Sequence, residues 1–171
     1  MTNTLVLAFH PHLHDGSRVN NKLAQTAASI DGVTVRDEYA LYPDGHIDVE
    51  AEQRACEAAD LIVWQSPMFW YSTPPLLKAW EDQVLAYGWA YGGGHALEGK
   101  RLMVAISAGA DAHTYMPDGP FPFEQLLTPQ RATAWRIGMQ WVEPLAIGGA
   151  MKLSDAELDA VARTYAQRLQ A

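Results

Sequence analysis

The sequence predicts a doubly wound α/β domain, in which helices cover both faces of a five-stranded parallel sheet. Short apolar runs alternate with stretches of helical periodicity along the chain, and three of the runs are almost continuously apolar. Such runs are typical of strands covered on both faces, and parallel strands need right-handed crossovers between them. The length of 171 residues suits one hydrophobic core, so we expect a single domain over residues 1–171.

Five strands and five helices are predicted, in alternation. The strands fall on apolar or β-branched runs at 5–9, 33–35, 61–64, 102–106 and 142–147. Three helices follow apolar stripes at 19–30, 76–84 and 158–169. The last of these begins with the capping-box pattern Ser154-x-x-Glu157. Less regular patterns place the other two helices near 49–59 and 128–137.

Composition and charge exclude several classes of protein. The formal net charge of -8 and the pI near 5.1 leave no basic surface for nucleic acid. The single cysteine, Cys56, cannot form an internal disulfide, and the first residues lack a cationic segment before a removable apolar stretch. The longest apolar runs are far shorter than the roughly 20 residues of a membrane-spanning helix. We expect a cytoplasmic protein whose only membrane role would be peripheral, at the inner face.

The segment after the first strand predicts an anion site. In a doubly wound sheet of order 2-1-3-4-5, ligands bind beyond the carboxyl ends of the strands where that order reverses. Residues 10–21 run from the first strand into a helix start, whose free N–H groups and dipole favour an anion. Ser17 and Asn20 could add side-chain donors, although Ser17 could also simply cap the helix. Neither a dinucleotide fingerprint nor a P-loop is present, which leaves a monophosphate site.

Two further segments predict a wall for a flat heterocycle. After the third strand, three consecutive aromatics, Phe69, Trp70 and Tyr71, lie between prolines that stiffen the chain. These rings could instead pack in the core or in a subunit interface. After the fourth strand, small residues allow the backbone to approach a ligand, and Gly109 permits a positive φ.

Several of these motifs together resemble the NAD(P)H:quinone oxidoreductase (DT-diaphorase-like) flavoproteins, in particular the ancillary flavoproteins of glutathione-regulated potassium-efflux systems. The resemblance covers nearly the whole chain, and the block from 64 to 92 is its most specific part. The motifs that carry it are His10-Pro11 with Ser17 and Asn20, the run PMFWYSTPPLLK at 67–78, GWAYG at 88–92 and Gly99-Lys100.

The resemblance implies a flavodoxin-like homodimer that binds FMN at the strand ends. FMN is favoured over FAD because the chain has little extra sequence to house an adenylate. Three groups of residues would bind it: His10, Ser17, Arg18, Val19 and Asn20 for the phosphate and ribityl chain; Pro67, Met68, Phe69, Trp70 and Tyr71 along the isoalloxazine, with main-chain groups; and Ser107, Ala108, Gly109 and Ala110 at the pyrimidine side.

The chain departs from the family at two places. The family often has Thr-Thr-Gly-Gly after the fourth strand, where this chain has Ser107 to Ala110. Some relatives use a Tyr and a His to stabilise charge on the reduced flavin; the Tyr corresponds to Tyr115, whereas the His corresponds to Phe121. His113 is the substitute offered by this loop, and a solvated loop histidine is the competing interpretation. Tyr115 and His113 are therefore the catalytic candidates.

The function implied is two-electron hydride transfer from NAD(P)H to a quinone-like acceptor by a ping-pong mechanism. The main alternative is a regulatory subunit that docks on a potassium-efflux transporter; a one-electron carrier is a weaker option. No metal is expected, because His10, His12 and His14 lack partners that would complete a ligand set. Gly92 to Gly94 is interpreted as a flexible connection near the site.

Overall fold

The computed structural model describes residues 3–171 and contains a six-stranded parallel sheet. The strands are β1 (Thr4–Ala8), β2 (Val33–Asp37), β3 (Leu61–Pro67), β4 (Arg101–Ser107), β5 (Gln140–Trp141) and β6 (Leu145–Ile147). Their order is β2-β1-β3-β4-β5, with β6 also paired to β4, and every pairing is parallel. The predicted fold class and strand order are confirmed.

The predicted fifth strand is divided in two. The β5 strand pairs with Arg101 and Leu102 at the start of β4, whereas β6 pairs with the last residues of β4. Between them Pro144 has no N–H to donate to a ladder, which interrupts the strand. The strand pairing therefore begins two residues before the predicted start at 142, and it breaks at 142–144.

All five predicted helices are present, and two single-turn α-helices and two 3₁₀ helices, Ala112–Tyr115 and Ala150–Lys152, accompany them. The helices are α1 (Arg18–Ala28), α2 (Glu38–Leu41), α3 (Val49–Ala58), α4 (Pro75–Val84), α5 (Phe123–Leu126), α6 (Thr128–Arg136) and α7 (Asp155–Leu169). The predicted capping box is confirmed, since the Glu157 N–H donates to Ser154 Oγ at 3.2 Å and the Ser154 N–H donates to Glu157 Oε2 at 2.8 Å. The additional turns, α2 and α5, are too short to leave a periodic pattern.

The core lies in two layers, one on each face of the sheet. On one face Trp64 of β3 and Phe9 meet Trp80 of α4 edge to face, with ring centroids 6.0 and 6.2 Å apart. On the other face Val63 packs in a cluster with Tyr165 of α7. Neighbouring strand residues thus enter opposite layers, which explains why the strands are continuously apolar.

Helices α1 and α7 lie side by side and parallel on the second face. Arg18 Nη2 is 2.6 Å from Asp155 Oδ1, and Lys22 Nζ is 2.8 Å from Asp159 Oδ1. Each helix contributes residues four positions apart, so the two axes run in the same direction with their first turns in register. Two helix N-termini therefore meet at one edge of the sheet.

Gly92 to Gly94 form a tightly packed turn. A Cβ added at Gly94 would lie 2.4 Å from the carbonyl carbon and oxygen of Gly88. The neighbouring Trp89 donates from Nε1 to Glu57 Oε1 at 2.7 Å. Gly94 therefore serves close backbone packing, whereas a Cβ added at Gly93 would meet nothing within 4 Å.

The turn after β3 is strained. Phe69 and Ser72 exchange both backbone hydrogen bonds at 3.0 Å, and the two residues between them, Trp70 and Tyr71, have φ of 47° and 62°. Consecutive positive φ values are those of a type I′ turn, where Asn and Gly are usual. The Trp70 side chain is 93% exposed, so its packing does not offset the strain. Strain of this kind clusters at ligand sites.

We expect Trp70→Gly to raise the free energy of unfolding by about 1 kcal/mol, because glycine adopts positive φ without strain. Trp135→Gly is the control: Trp135 is 81% exposed but lies in α6, where glycine costs up to about 1 kcal/mol. Urea unfolding of both variants measures the two changes. Equal losses of stability in both would show that the turn carries no strain.

A buried carboxyl group lies directly after β2. Glu38 is fully buried, and neither of its carboxyl oxygens has a hydrogen-bond partner within residues 3–171. The Arg36 guanidinium hydrogen-bonds to Glu52, while its Nε lies 3.5 Å from Glu38 Oε1 and partly opposes the effect of burial on the Glu38 pKa. Glu52 also accepts from Tyr42 Oη at 2.6 Å and from Trp80 Nε1 at 3.0 Å. Burial raises the pKa of Glu38 to about 8, and the charge of Glu52 adds to the shift. Glu38 is therefore protonated in the folded protein at neutral pH.

Stability should fall with rising pH because of Glu38. Its folded-state pKa of about 8 lies above the ordinary 4.5, so the stabilisation by its proton is complete below about pH 4.5 and is lost as pH rises to about 8. In Glu38→Gln the urea midpoint should fall less between about pH 5 and pH 9 than in the native chain. Glu50→Gln, an exposed change in α3, should keep the native slope. Identical slopes in all three proteins would contradict the assignment.

Candidate functional site

A cleft of about 260 Å³ opens beyond the carboxyl ends of β1, β3 and β4. Three of its lining residues, Gly16, Ala150 and Met151, were not predicted. Gly16 precedes the helix start, and the other two follow β6, whose carboxyl end reaches the same edge. The full lining is His10, Gly16, Ser17, Arg18, Val19, Asn20, Pro67, Met68, Ser107, Gly109, Ala150 and Met151.

The remaining predicted cofactor residues are not among those that line the cleft. Phe69, Trp70 and Tyr71 follow Met68 directly and form the strained turn. Ala108 is buried, and its N–H donates to the Ile147 carbonyl at 2.8 Å. The carbonyl of Ala110 accepts from Gly149 at 2.8 Å, so both alanines hold the segment after β6 in place.

The N-terminus of α1 lies at the cleft with its positive end unopposed. Ser17 Oγ accepts from the Asn20 N–H at 3.1 Å, which confirms that Ser17 caps the helix. The hydroxyl proton remains available, because a serine donates and accepts at once. The first turn of α1 contains no acidic residue, whereas that of α7 contains Asp155 and Glu157. An anion is therefore favoured at α1 more than at α7.

His10 presents a neutral imidazole to the cleft. Its Nδ1 accepts from the His12 N–H at 3.0 Å, so Nε2 carries the proton and can donate. Burial lowers the pKa of His10, and the neighbouring His12 lowers it further. The site therefore gains a donor without a full positive charge.

A buried hydrogen-bond network supports the floor of the cleft. Asn20 Nδ2 donates to Ser107 Oγ at 2.9 Å, Gln65 Nε2 donates to the Asn20 carbonyl at 2.9 Å, and Tyr165 Oη donates to Gln65 Oε1 at 3.1 Å. One of the two N–H groups of the Asn20 amide is thus used within the protein, which leaves one for a ligand. Its Oδ1 is buried without a partner in residues 3–171. A ligand hydroxyl would satisfy this oxygen.

In the segment predicted to line a flat heterocycle, two of the backbone N–H groups already donate within the protein. The Met68 N–H donates to the Ser107 carbonyl at 2.7 Å, and the Phe69 N–H donates to Ser72 at 3.0 Å. Within residues 3–171 the amides of Trp70 and Tyr71 have no acceptor. The strained turn therefore supplies the two backbone donors that a heterocycle could use.

Gly109 does not use the positive φ that glycine permits. A Cβ added there would lie 3.4 Å from Met151 Cγ, an ordinary contact. The lack of a side chain at Gly109 therefore leaves room in the cleft, while its backbone conformation does not require glycine.

The two catalytic candidates are not among the lining residues. Tyr115 is buried and stacks on Phe123 with centroids 4.6 Å apart. Burial raises the pKa of Tyr115, with a further contribution from Tyr71. His113 is exposed, with Nδ1 3.9 Å from Asp118. Phe121 packs on Tyr71 at 5.2 Å, so aromatic contacts link this segment to the strained turn.

The histidines of the first loop have separate carboxylate partners. His12 is 3.6 Å from Asp15, and His14 is 3.0 Å from Asp37. Across residues 3–171, no group of three or more His, Cys, Asp or Glu side chains comes together to hold a metal. None of the helices in this range is both long and apolar enough to span a bilayer.

Curated relatives match almost the full chain. The chain is 47% identical over 167 residues to the glutathione-regulated potassium-efflux system ancillary protein KefF of Klebsiella pneumoniae (strain 342), covering 96% of this chain and 93% of the relative. It is 44% identical over 169 residues to general stress protein 14 of Bacillus subtilis (strain 168), covering 97% and 96%.

Solved structures show the same fold. General stress protein 14 of Treponema denticola, in complex with FMN, has a TM-score of 0.90 at 37% identity, with 98% of each chain covered. An NADPH-quinone reductase of P. pentosaceus has a TM-score of 0.88 at 27% identity, with 98% of this chain and 97% of the relative covered. A thermophilic tryptophan halogenase from Streptomycin violaceusniger has a TM-score of 0.93 at 46% identity, with 98% of each chain covered.

A family model described as a flavodoxin-like fold matches residues 2–169, so the chain belongs to this family.

Proposed function

We propose that the chain is an FMN-dependent NAD(P)H:quinone oxidoreductase that acts in the cytoplasm. The observation that carries the proposal is the juxtaposition, at one edge of the sheet, of an unopposed helix N-terminus and an exposed aromatic turn with free amides. The first suits a phosphate and the second a flat ring. Asn20 lines the cleft, and its Oδ1 has no partner within residues 3–171, so a ribityl hydroxyl could donate to it.

Each group of residues has a distinct task in this proposal. The α1 N–H groups, the Ser17 hydroxyl and His10 Nε2 would hold the phosphate. The amides of Trp70 and Tyr71 would donate to the ring edge and favour negative charge there, as donors do in an oxyanion hole. Bound FMN supplies the acceptance and delivery of hydride. Tyr71 and Phe121 would exclude water from the ring. Tyr115 and His113 would stabilise negative charge on the reduced flavin, the role that the resemblance implies.

The relatives support a flavin site more directly than they support one reaction. One solved relative contains FMN, one is named an NADPH-quinone reductase and another a tryptophan halogenase. Quinone reduction is proposed because an open aromatic face can receive NAD(P)H and then a flat quinone in turn. This order of use implies ping-pong kinetics.

We propose that the chain works as a homodimer. A groove of about 500 Å³ lies between α4 and α6, lined in part by Tyr91 and Arg136. Beside it Tyr87 and Trp135 are 76% and 81% exposed. Exposed aromatics around a groove are typical of an interface. The lining includes Ser72, so a second copy would reach the strained turn.

A second candidate function is regulatory docking on a potassium-efflux transporter. The name of the Klebsiella pneumoniae relative at 47% identity favours it. The two candidates predict different behaviour of the isolated chain, since an enzyme needs no transporter for turnover.

The purified chain should be yellow or become so with FMN, and NADH or NADPH should bleach its visible absorption. A quinone should then restore the colour, because the same site passes on the electrons. Stopped-flow spectra of the chain alone measure both half-reactions. A chain that binds no FMN would remove the enzyme assignment, and one that binds FMN but is not reduced would favour the docking role.

Ser17→Ala and Ser154→Ala form a matched pair for the phosphate site. Both remove a helix cap, so each should lower the free energy of unfolding by about 1 kcal/mol. Only Ser17 lines the cleft, so only Ser17→Ala should weaken FMN binding, by about tenfold, as loss of one hydrogen bond to a charged group. Fluorescence titration gives the two Kd values. Equal effects on Kd would place the phosphate elsewhere.

Light scattering should give the mass of a dimer. The double variant Tyr87→Lys with Trp135→Lys should be monomeric, because charge cannot be buried unpaired in an interface. Leu41→Lys, at a residue 47% exposed in α2, is the control and should remain dimeric. A monomeric native chain would rule out the proposed interface.

A further inference from the structure

A second groove lies beside the cleft, along the seam between α1 and α7. Arg18 lines both, and the second groove has a volume of about 440 Å³. A ligand that continued beyond a phosphate at the α1 N-terminus would find this groove next to it. The other lining residues of the groove are Asn21, Lys22, Gln25, Asp155, Leu158 and Asp159.

Two ion pairs cross this seam. Arg18 donates from Nη2 to Asp155 Oδ1 at 2.6 Å and from Nη1 to the Leu153 carbonyl at 2.7 Å. Lys22 Nζ lies 2.8 Å from Asp159 Oδ1. Both cations that could attract a second phosphate are therefore engaged, and both carboxylates would repel one.

The seam thus treats a monophosphate and a longer nucleotide differently. A terminal phosphate needs only the α1 N-terminus, Ser17 and His10, and it can leave the ion pairs intact. A dinucleotide that followed the groove would compete with Asp155 and Asp159 for Arg18 and Lys22, and its second phosphate would lie near both carboxylates. Each exposed pair alone is weak, but opening the seam disrupts both pairs and the bond to Leu153 together.

We propose that the Arg18–Asp155 and Lys22–Asp159 pairs make this site selective for FMN against FAD. The inference rests on the proposed flavin function. Asp155 and Asp159 act as specificity residues without contacting the flavin.

The test uses Asp155→Asn with Asp159→Asn. This variant frees Arg18 and Lys22 to bind a second phosphate and removes the repulsion, while the isosteric amides preserve the shape of α7. The holoprotein is dialysed against equal concentrations of FMN and FAD, and the bound flavins are separated and quantified. The native chain should hold almost only FMN, and the variant should raise the bound FAD to FMN ratio by about tenfold, the gain from one charge-assisted bond.

The control carries the same change in charge away from the seam. Asp31→Asn with Glu50→Gln changes residues beyond the opposite end of α1 and in α3, and should keep the native flavin ratio. An unchanged ratio in the seam variant, or an equal change in the control, would overturn the inference. A native chain that binds FAD as well as FMN overturns it while the flavin function stands. A chain that binds neither flavin overturns both.

Discussion

Burial of the central strands on both faces is the constraint on which the rest of the structure depends. Every residue of β1 and β3 is buried, and those of β4 are buried after the first. Polar side chains that must meet solvent or ligand therefore have to lie beyond the strand ends. The cleft lies at the edge where the strand order reverses. The topology of the sheet therefore fixes the position of the site, and the side chains around it fix only what it can bind.

The polar groups inside this frame hold the cleft in a fixed shape. Tyr165, Gln65 and Asn20 connect α7, β3 and α1 by buried hydrogen bonds, and Asn20 extends the network to Ser107 on β4. Because breaking a buried hydrogen bond leaves an unsatisfied group, the first turn of α1 cannot shift without a large cost. The α1 N-terminus is thereby held rigid where an anion would bind, which lowers the ordering cost of binding.

The turn that follows Met68 is, by contrast, strained and exposed. Trp70 and Tyr71 occupy backbone conformations that suit smaller residues, and the free amides between Phe69 and Ser72 result from that conformation. The seam of α1 and α7 is also at the surface, yet its charges are paired. The floor of the cleft is thus fixed by buried hydrogen bonds, the turn that follows Met68 is strained, and the seam of α1 and α7 is held by ion pairs.

The sequence by itself determined the features that depend on neighbours along the chain. Continuous apolar runs located β1, β3 and β4, and the capping patterns located the starts of α1 and α7. Only the tertiary structure decided which distant groups meet: Asn20 bonds to Ser107 across 87 positions and Arg18 to Asp155 across 137. It also placed Met151 in the cleft, divided the last strand at Pro144 and left Tyr115 outside the lining. Local patterns reflect backbone geometry, whereas contacts between elements depend on how the layers pack, which no short stretch of sequence encodes.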